Sequence, residues 1–455
     1  MLAIIINDDD DEEKTMEKIQ NTCKLLEHII CKHILDHLEN NNILTSLNHG
    51  FRSGYSCETQ LLTTVHHLLQ TYDEGDQIDI AILDFSKAFD TVPHESLLYK
   101  MQQYGIDGNI NDWLRNFLTK RTMRVVVEGE TSEAVPVDSG VPQGTVLGPL
   151  AFLCHINDLP ECVKSSVRLF ADNCLLYRPI KSRQDQLDLQ SDLNALEKWA
   201  ETWGMRFNAK KCYIMSINNR SSNFYQLNNT ILQQVQENPY LGITLSEDMK
   251  FSKHINKITS KASSTLGFLK RNLKHCPASC RKTAYLSLVR STLEYSSIVW
   301  DPHLQGDINK IENVQRKATR FITGDYRSRE QGCITRMLKE LELPPLQERR
   351  KMARLTFFFK VTEGLVPAMP NEIYLVPIRG KRQIRPKSFK DCTSSNPVQR
   401  SAINHQRCFK PIQCKSELYK QSFFPKTIID WNNLDTAVVS ANTLQSFRTA
   451  LQKRD

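Results

Sequence analysis

Apolar positions change their spacing several times along the chain, and each change marks a new element. Leu25, Leu26, Ile29, Ile30, Ile34 and Leu38 recur at helical intervals and predict an amphipathic helix after an acidic, disordered lead over residues 1–20. A second helix is expected over residues 60–72. The unbroken apolar run at 78–83 predicts a buried strand ending on a carboxylate, Asp84. Residues 124–128 and 135–137 read as a hairpin around Gly129. Residues 167–177 are apolar on both sides of the polar pair Asp172-Asn173, which predicts two strands joined by a tight turn. Leu187, Leu193, Leu196, Trp199 and Trp203 mark another helix, and helical spacing dominates from 255 to 355. Beyond Pro367 a Pro-, Ser- and base-rich stretch leads to a last amphipathic segment at 443–451. The order is mixed α+β first and mostly α afterwards, with no internal repeat.

Composition adds little until charge is placed along the chain. With 455 residues there is room for two or three domains and a well-buried core. The net charge of +8 is modest, but residues 249–293 contain no Asp or Glu, against Lys250, Lys253, Lys257, Lys261, Lys270, Arg271, Lys274, Arg281, Lys282 and Arg290. A one-sided basic block of this kind suits a polyanion, since Lys and Arg displace condensed counterions from phosphate; its plain alternative is a solvated helix face. The 13 cysteines are odd in number and lack pairing rhythm, as in an intracellular protein with reduced thiols. Neither Cys276/Cys280 nor the loose set Cys392, His405, Cys408 and Cys414 has the spacing of a structural zinc site. Met1–Ile6 is too short for a signal peptide, and no window is apolar for long enough to span a bilayer, so secretion and membrane partners are not expected.

Three stretches carry candidate chemistry. In 80–90 (Ile-Ala-Ile-Leu-Asp-Phe-Ser-Lys-Ala-Phe-Asp), Asp84 closes a buried strand, a costly place for a carboxylate unless a cation such as Mg²⁺ meets it. The plain alternative is a cap on the following helix. In 139–150, two glycines, a proline and Gln143 build a stiff loop into a helix, whose free N–H groups can face a phosphate or base pair. Here the alternative is a turn before a core helix. In 169–177, Asp172 on a hairpin tip reaches an ion shared with Asp84 if the two strands are neighbours; an ordinary Asp-Asn turn is the alternative.

Taken in order, these stretches resemble motifs A, B and C of reverse transcriptases. Residues 49–56 (His-Gly-Phe-Arg-Ser-Gly-Tyr-Ser), 83–90 and 140–150 resemble the non-LTR retrotransposon branch in particular, jockey-like elements and their relatives. Residues 199–212 resemble motif D, Tyr240-Leu241-Gly242 the primer grip, and 285–321, with Leu293-Glu294-Tyr295 and Trp300-Asp301-Pro302, the tail that follows such polymerases. The resemblance implies a right-hand α+β polymerase with a fingers remnant, a palm of antiparallel sheet and helices, a helical thumb and a mostly helical C-terminal region. The corresponding parts are fingers at 21–75, palm at 76–248 with a fingers insertion at about 92–138, thumb at 249–345, and a partly irregular region at 346–455.

It also implies RNA-directed DNA polymerisation with RNA template, DNA primer, RNA–DNA hybrid and dNTP as partners. Two Mg²⁺ ions, for which Mn²⁺ can substitute, would be held by Asp84, the Phe85 carbonyl and Asp172. Phe89 matches the aromatic gate against ribose, and Gln143 and Gly144 lie against the incoming nucleotide. Arg52 reaches template or triphosphate. Lys211 is the motif D general acid, with Lys210 as its rival. Tyr240, Leu241 and Gly242 press the primer end, and Lys253, Lys257, Lys261, Lys270 and Arg271 follow the backbone of the duplex.

Two departures stand out. Asn173 replaces the second motif C aspartate, and an amide oxygen coordinates more weakly than a carboxylate. The family's endonuclease and an Arg-Pro-containing fingers motif precede the matching region, so the chain reads as N-terminally truncated and is not expected to nick a target. Thr145 stands for a usual Ser and keeps the hydroxyl. Competing readings are a catalytically inactive nucleic-acid-binding remnant and a small-molecule nucleotidyl cyclase. The Pro-Gln-Gly loop and the basic block argue against the cyclase, because neither serves a lone nucleotide.

Overall fold

The computed structural model describes residues 12–221, 223–378 and 405–453, with side chains from Asn21 onward. The first helix, α1 (Glu12–Asn40), starts well before the expected residue 21. Glu, Lys, Met and Gln are good helix formers, so the polar lead does not stop it. The lead up to residue 11, most of the Pro- and Ser-rich stretch and Cys392 lie outside the described residues.

Compactness divides the chain into two units, Met1–Ser56 with Gln77–Val235, and Cys57–Asp76 with Gln236–Asp455. The first is built on a five-stranded sheet. Its strands are β1 (Gln77–Asp84), β2 (Ser166–Phe170), β3 (Asn173–Ile180), β4 (Tyr213–Ile217) and β5 (Gln233–Gln234), in the order β5-β4-β1-β3-β2. All neighbours are antiparallel except β5 beside β4. Central β1 is buried along most of its length, which explains its continuous rather than alternating apolar run. Two helices frame the sheet's residues. α2 (Leu147–Ile156) is buried on nearly every side, and α3 (Arg183–Thr202) starts from a Ser182–Asp185 capping box. Leu189, Leu193, Leu196 and Trp199 form the buried stripe of α3, whereas Leu187, expected on the same stripe, is exposed.

The hairpin around Gly129 also differs from expectation. Val126–Val127 pair with Glu130–Thr131, while Val135–Pro136 pair with Thr122–Met123, so one long ribbon carries two short ladders. All its strand residues are exposed, and alternation gives no register where neither face is buried.

The second unit includes the helix Cys57–Glu74. Leu61, Leu62, Val65, Leu68 and Leu69 are buried there, and His66 packs against Tyr374, Tyr419 and Phe424. The unit continues with a hairpin of β6 (Glu237–Tyr240) and β7 (Ile243–Ser246), then the long helix α4 (Ser252–Asn272) and further helices. Trp300, Phe358, Trp431 and Phe447 are among its most buried side chains.

Candidate active site

Backbone pairing brings the two expected acids together. Leu83 lies opposite Cys174 and Asp84 opposite Asn173, in one antiparallel ladder between β1 and β3. Phe170 pairs with Asn173, so the two turn residues are Ala171 and Asp172 rather than Asp172 and Asn173. Ala171 takes the left-handed conformation that such a turn demands, φ 52°. Asp172 therefore stands on the tip, and Asn173 is the first strand residue facing Asp84. The Asn173 Nδ2 donates to Asp172 Oδ1 at 3.3 Å.

The end of β1 is held from a second side. Asn208 N–H donates to the Asp84 carbonyl, and Ser86 N–H to the Arg206 carbonyl, at 2.8 Å each. These bonds form the bridge between Phe85 and Phe207 without using the Phe85 carbonyl, while the two rings stack at 4.3 Å. Asp84 N–H meets Cys212 Sγ at 3.4 Å. On the short turn between these contacts, Lys211 places its Nζ 3.8 Å from Asp84 Oδ2. Of the two adjacent lysines, the one paired with Asp84 is thus Lys211, and Lys210 is exposed. Burial raises the Asp84 pKa; Lys211 opposes the rise and Asp172 adds to it.

Motifs A and B are strapped to each other. Gln143 Nε2 donates to Asp90 Oδ1 at 2.8 Å, and Ser139 Oγ to the Asp90 carbonyl at 2.9 Å. A Cβ on Gly140 would sit 2.7 Å from that carbonyl oxygen, so glycine is needed for the close approach. Phe89 stacks on Phe152 at 4.4 Å and meets Phe51 edge-on at 6.2 Å, which fixes the ring in place.

Two expectations are corrected here. The amino end of α2 offers no open amide for a phosphate: Val146 and Leu147 donate to Glu27 Oε2 at 2.7 and 3.2 Å, and Gly148 donates to Thr145 Oγ1 at 3.1 Å. Arg52 does not reach outward. Its buried guanidinium grips both Glu39 oxygens at 2.9 and 2.7 Å, donates to the Thr45 carbonyl at 2.6 Å and lies 4.1 Å over the Tyr55 ring. A buried charge keeps the partners that offset its desolvation, so in this structure Arg52 fastens the segment after α1. That segment braces the hairpin tip. His49 N–H donates to the Leu169 carbonyl at 3.1 Å, and a Cβ on Gly50 would lie 2.6 Å from the Ala171 nitrogen. Glu27, Gly50 and Asp90 were not singled out from the sequence as site residues. Each acts through a partner distant in the chain, and for Gly50 the lone glycine between His49 and Phe51 was the only local signal.

A family model described as reverse transcriptase (RNA-dependent DNA polymerase) matches residues 11–245. The chain belongs to the reverse transcriptase family. Among curated relatives, the RNA-directed DNA polymerase from mobile element jockey of Drosophila melanogaster is 30% identical over 317 residues, covering 66% of this chain and 34% of that protein. The probable RNA-directed DNA polymerase from transposon BS of the same fly is 27% identical over 327 residues, 67% of this chain and 35% of the other. This reverse transcriptase chain thus spans about a third of the length of the curated relatives it matches. A solved structure of apo telomerase from Candida tropicalis aligns with a TM-score of 0.41 at 10% identity, over 77% of this chain and 60% of that one.

In the second unit of this reverse transcriptase, the stretch resembling a primer grip is the turn of the β6–β7 hairpin. Leu241 and Gly242 both have positive φ, 45° and 84°. Tyr295 donates its hydroxyl to the Leu241 carbonyl at 3.0 Å, and its ring lies 2.7 Å from where a Gly242 Cβ would stand. Gln60 Nε2 reaches the Tyr240 hydroxyl at 3.3 Å. Along α4, Ile255, Ala262 and Leu266 are buried and Ile258 half-buried, while Lys261 and Arg271 are exposed. Lys253 and Lys257 both pair with Glu237, at 3.4 and 3.0 Å, an acid that precedes the acid-free block. Lys270 lies 5.8 Å from the centre of the Tyr326 ring. A cavity of about 420 Å³ is lined by Gly242, Lys257, Lys261, Thr292 and Tyr295 among others.

Among the described residues, no group of three or more His, Cys, Asp or Glu side chains is placed to hold a metal. His405 and Cys408 are inside the core, with His405 Nε2 against the Trp431 carbonyl at 3.0 Å. No described helix is long and apolar enough to cross a membrane.

Proposed function

We propose that the chain is the polymerase portion of a mobile-element protein, extending a DNA primer along an RNA template with dNTPs. The observation that carries this reading is the register placing Asp84 against Asn173, with Asp172 on the adjoining turn. Two hard carboxylates and the Phe85 carbonyl fit Mg²⁺, which usually takes one or two carboxylates and completes its shell with water and substrate phosphate. Such a donor set needs no third acidic side chain. When bound, a divalent pair supplies Lewis-acid stabilisation of the α-phosphate and a more nucleophilic primer 3′-oxygen.

The chain's own residues do the rest. Asp84 and Asp172 present their charges at one end of the sheet. Lys211, exposed and beside Asp84, offers an ammonium that can give a proton to departing pyrophosphate. Phe89, held between Phe152 and Phe51, stands as a flat wall against a ribose 2′-hydroxyl. Gln143 and Gly144 face the nascent base pair. In the second unit, the Tyr240–Gly242 turn would support the primer end, and Lys261, Lys270 and Arg271 the duplex backbone. Lys253 and Lys257 can exchange their solvent-exposed pairing with Glu237 for phosphate.

The test is primer extension on poly(rA)–oligo(dT) with Mg²⁺ or Mn²⁺, using the chain, its Asn173→Asp form and Asp84→Ala. Incorporation by the first two and none by Asp84→Ala supports the proposal. Salt-sensitive hybrid binding without incorporation in either active-site form would instead make the chain a non-catalytic remnant.

A further inference from the structure

The start of α2 is closed by an acid far away in sequence. Glu27, on α1 and 8% exposed, accepts the Val146 and Leu147 N–H groups with one oxygen. Gly148 bonds to Thr145, and Pro149 has no N–H to offer, so the whole amino end of the helix is satisfied. A carboxylate at this end also meets the positive pole of the helix dipole, which makes the contact charge-assisted.

The loop before it, residues 139–146, is fastened at its other side to Asp90 through Ser139 and Gln143. Its crown has little packing of its own. Gly144 has φ 81°, and a Cβ added there would touch nothing within 4 Å. The loop before the crown is also tied by Gly140 and Val141 N–H to the Val92 and Phe89 carbonyls, at 2.8 Å each, and Thr145 Oγ1 bonds back to the Pro142 carbonyl at 2.7 Å; after the crown, the fastening outside the loop is Glu27.

We propose that Glu27 is a positioning residue for the incoming nucleotide. Its carboxylate fixes the first turn of α2 and, through it, the seat that Gln143 and Gly144 offer to the nascent base pair. This rests on the polymerase reading above. It differs from a simple stabilising cap in that it acts on nucleotide binding and not only on folding.

The experiment uses the full chain and its Glu27→Gln, Glu27→Asp and Glu27→Ala forms. Hydrogen–deuterium exchange of the peptide spanning 142–150 is read without nucleic acid, and KM and kcat for dTTP are read on poly(rA)–oligo(dT). In Glu27→Gln, which keeps the shape and loses the charge, exchange in that peptide should rise about tenfold, the scale of one charge-assisted hydrogen bond. The dTTP KM should rise about tenfold with kcat within about threefold, the pattern of lost substrate seating. Glu27→Asp should fall between parent and Gln. A lower melting temperature with unchanged KM would reduce Glu27 to a cap and overturn the proposal, as would unchanged exchange in both Gln and Ala forms. If neither the parent nor Asn173→Asp extends a primer, the polymerase reading fails; the exchange data then decide by themselves whether Glu27 holds the loop.

Discussion

At the scale of single residues, the missing charge at position 173 is expected to act directly on the chemistry. Asn173 faces Asp84 across the ladder and donates to Asp172, so a neutral amide stands where a third acid would add to the charge of the first two. Restoring that charge with Asn173→Asp should raise the primer-extension rate by roughly 30- to 1000-fold, the equivalent of about 2–4 kcal/mol of transition-state stabilisation. Equal rates in single-turnover assays would remove any catalytic penalty from the asparagine. A residue outside the site shows the opposite use of charge. Asp301 is buried, and although burial itself raises its pKa, Lys426, Arg354 and Arg350 together hold it below the usual carboxylate range. Arg350 Nε and Lys426 Nζ each lie 2.9 Å from it. Asp301→Asn would strand the buried Arg350, while Arg354 keeps Asp430 at 2.7 Å, and urea titration should show a loss of about 3–5 kcal/mol.

At the scale of elements, the hairpin tip depends on its neighbours. The segment 47–50 runs beside β2, and Gly50 leaves no room for a side chain against Ala171. Gly50→Ala should push the turn, move Asp172 and cost about a hundredfold in kcat, the usual penalty for a misplacement near 1 Å. A variant with parental kcat would show that the tip yields freely. These elements also show what local sequence can and cannot tell. The apolar run of β1 and the two apolar arms around Asp172 carry their own period, so the strands and their acids were readable directly. The turn was misplaced by one residue because an Asp-Asn pair is a common turn signal, whereas Ala171 is an unusual left-handed residue chosen by ladder register. The inward turn of Arg52 is not legible in the sequence, because its partners, Glu39 and two carbonyls, are specified by packing and not by spacing. The exposed ribbon at 122–136 lacked any buried face that could declare its pairing.

At the scale of the whole molecule, several histidines are buried uncharged. Burial lowers the pKa of His49 and His155 to about 3, and of His66 and His254 to about 4; Arg168 and Arg52 add to the first, Lys100 to the second, His67 to the third and Lys257 to the fourth. An unfolded histidine titrates near 6.5, so below that pH the unfolded chain binds protons that the folded chain refuses. Stability from these groups is complete above about pH 6.5 and drains away as the pH falls toward 4 for His66 and His254 and toward 3 for His49 and His155. Each should contribute a slope of up to about 1.4 kcal/mol per pH unit in that window. Urea midpoints measured from pH 7 to pH 5 should fall steadily, and a flat profile would mean that the rings take up protons without unfolding. His49 and His155 belong to the first unit and His66 and His254 to the second, so both should weaken together.

The ladder between β1 and β3 has one more consequence. Asp84 is placed by the amide ladder itself and Asp172 by the tight turn that the β2–β3 ladder closes, so backbone pairing sets both positions. On the proposed polymerase reading, loading with a divalent ion would resemble charging a rigid terminal more than closing a jaw. Calorimetry of Mg²⁺ titration should find almost no change in heat capacity, since little apolar surface leaves water when the ligand scaffold is already assembled.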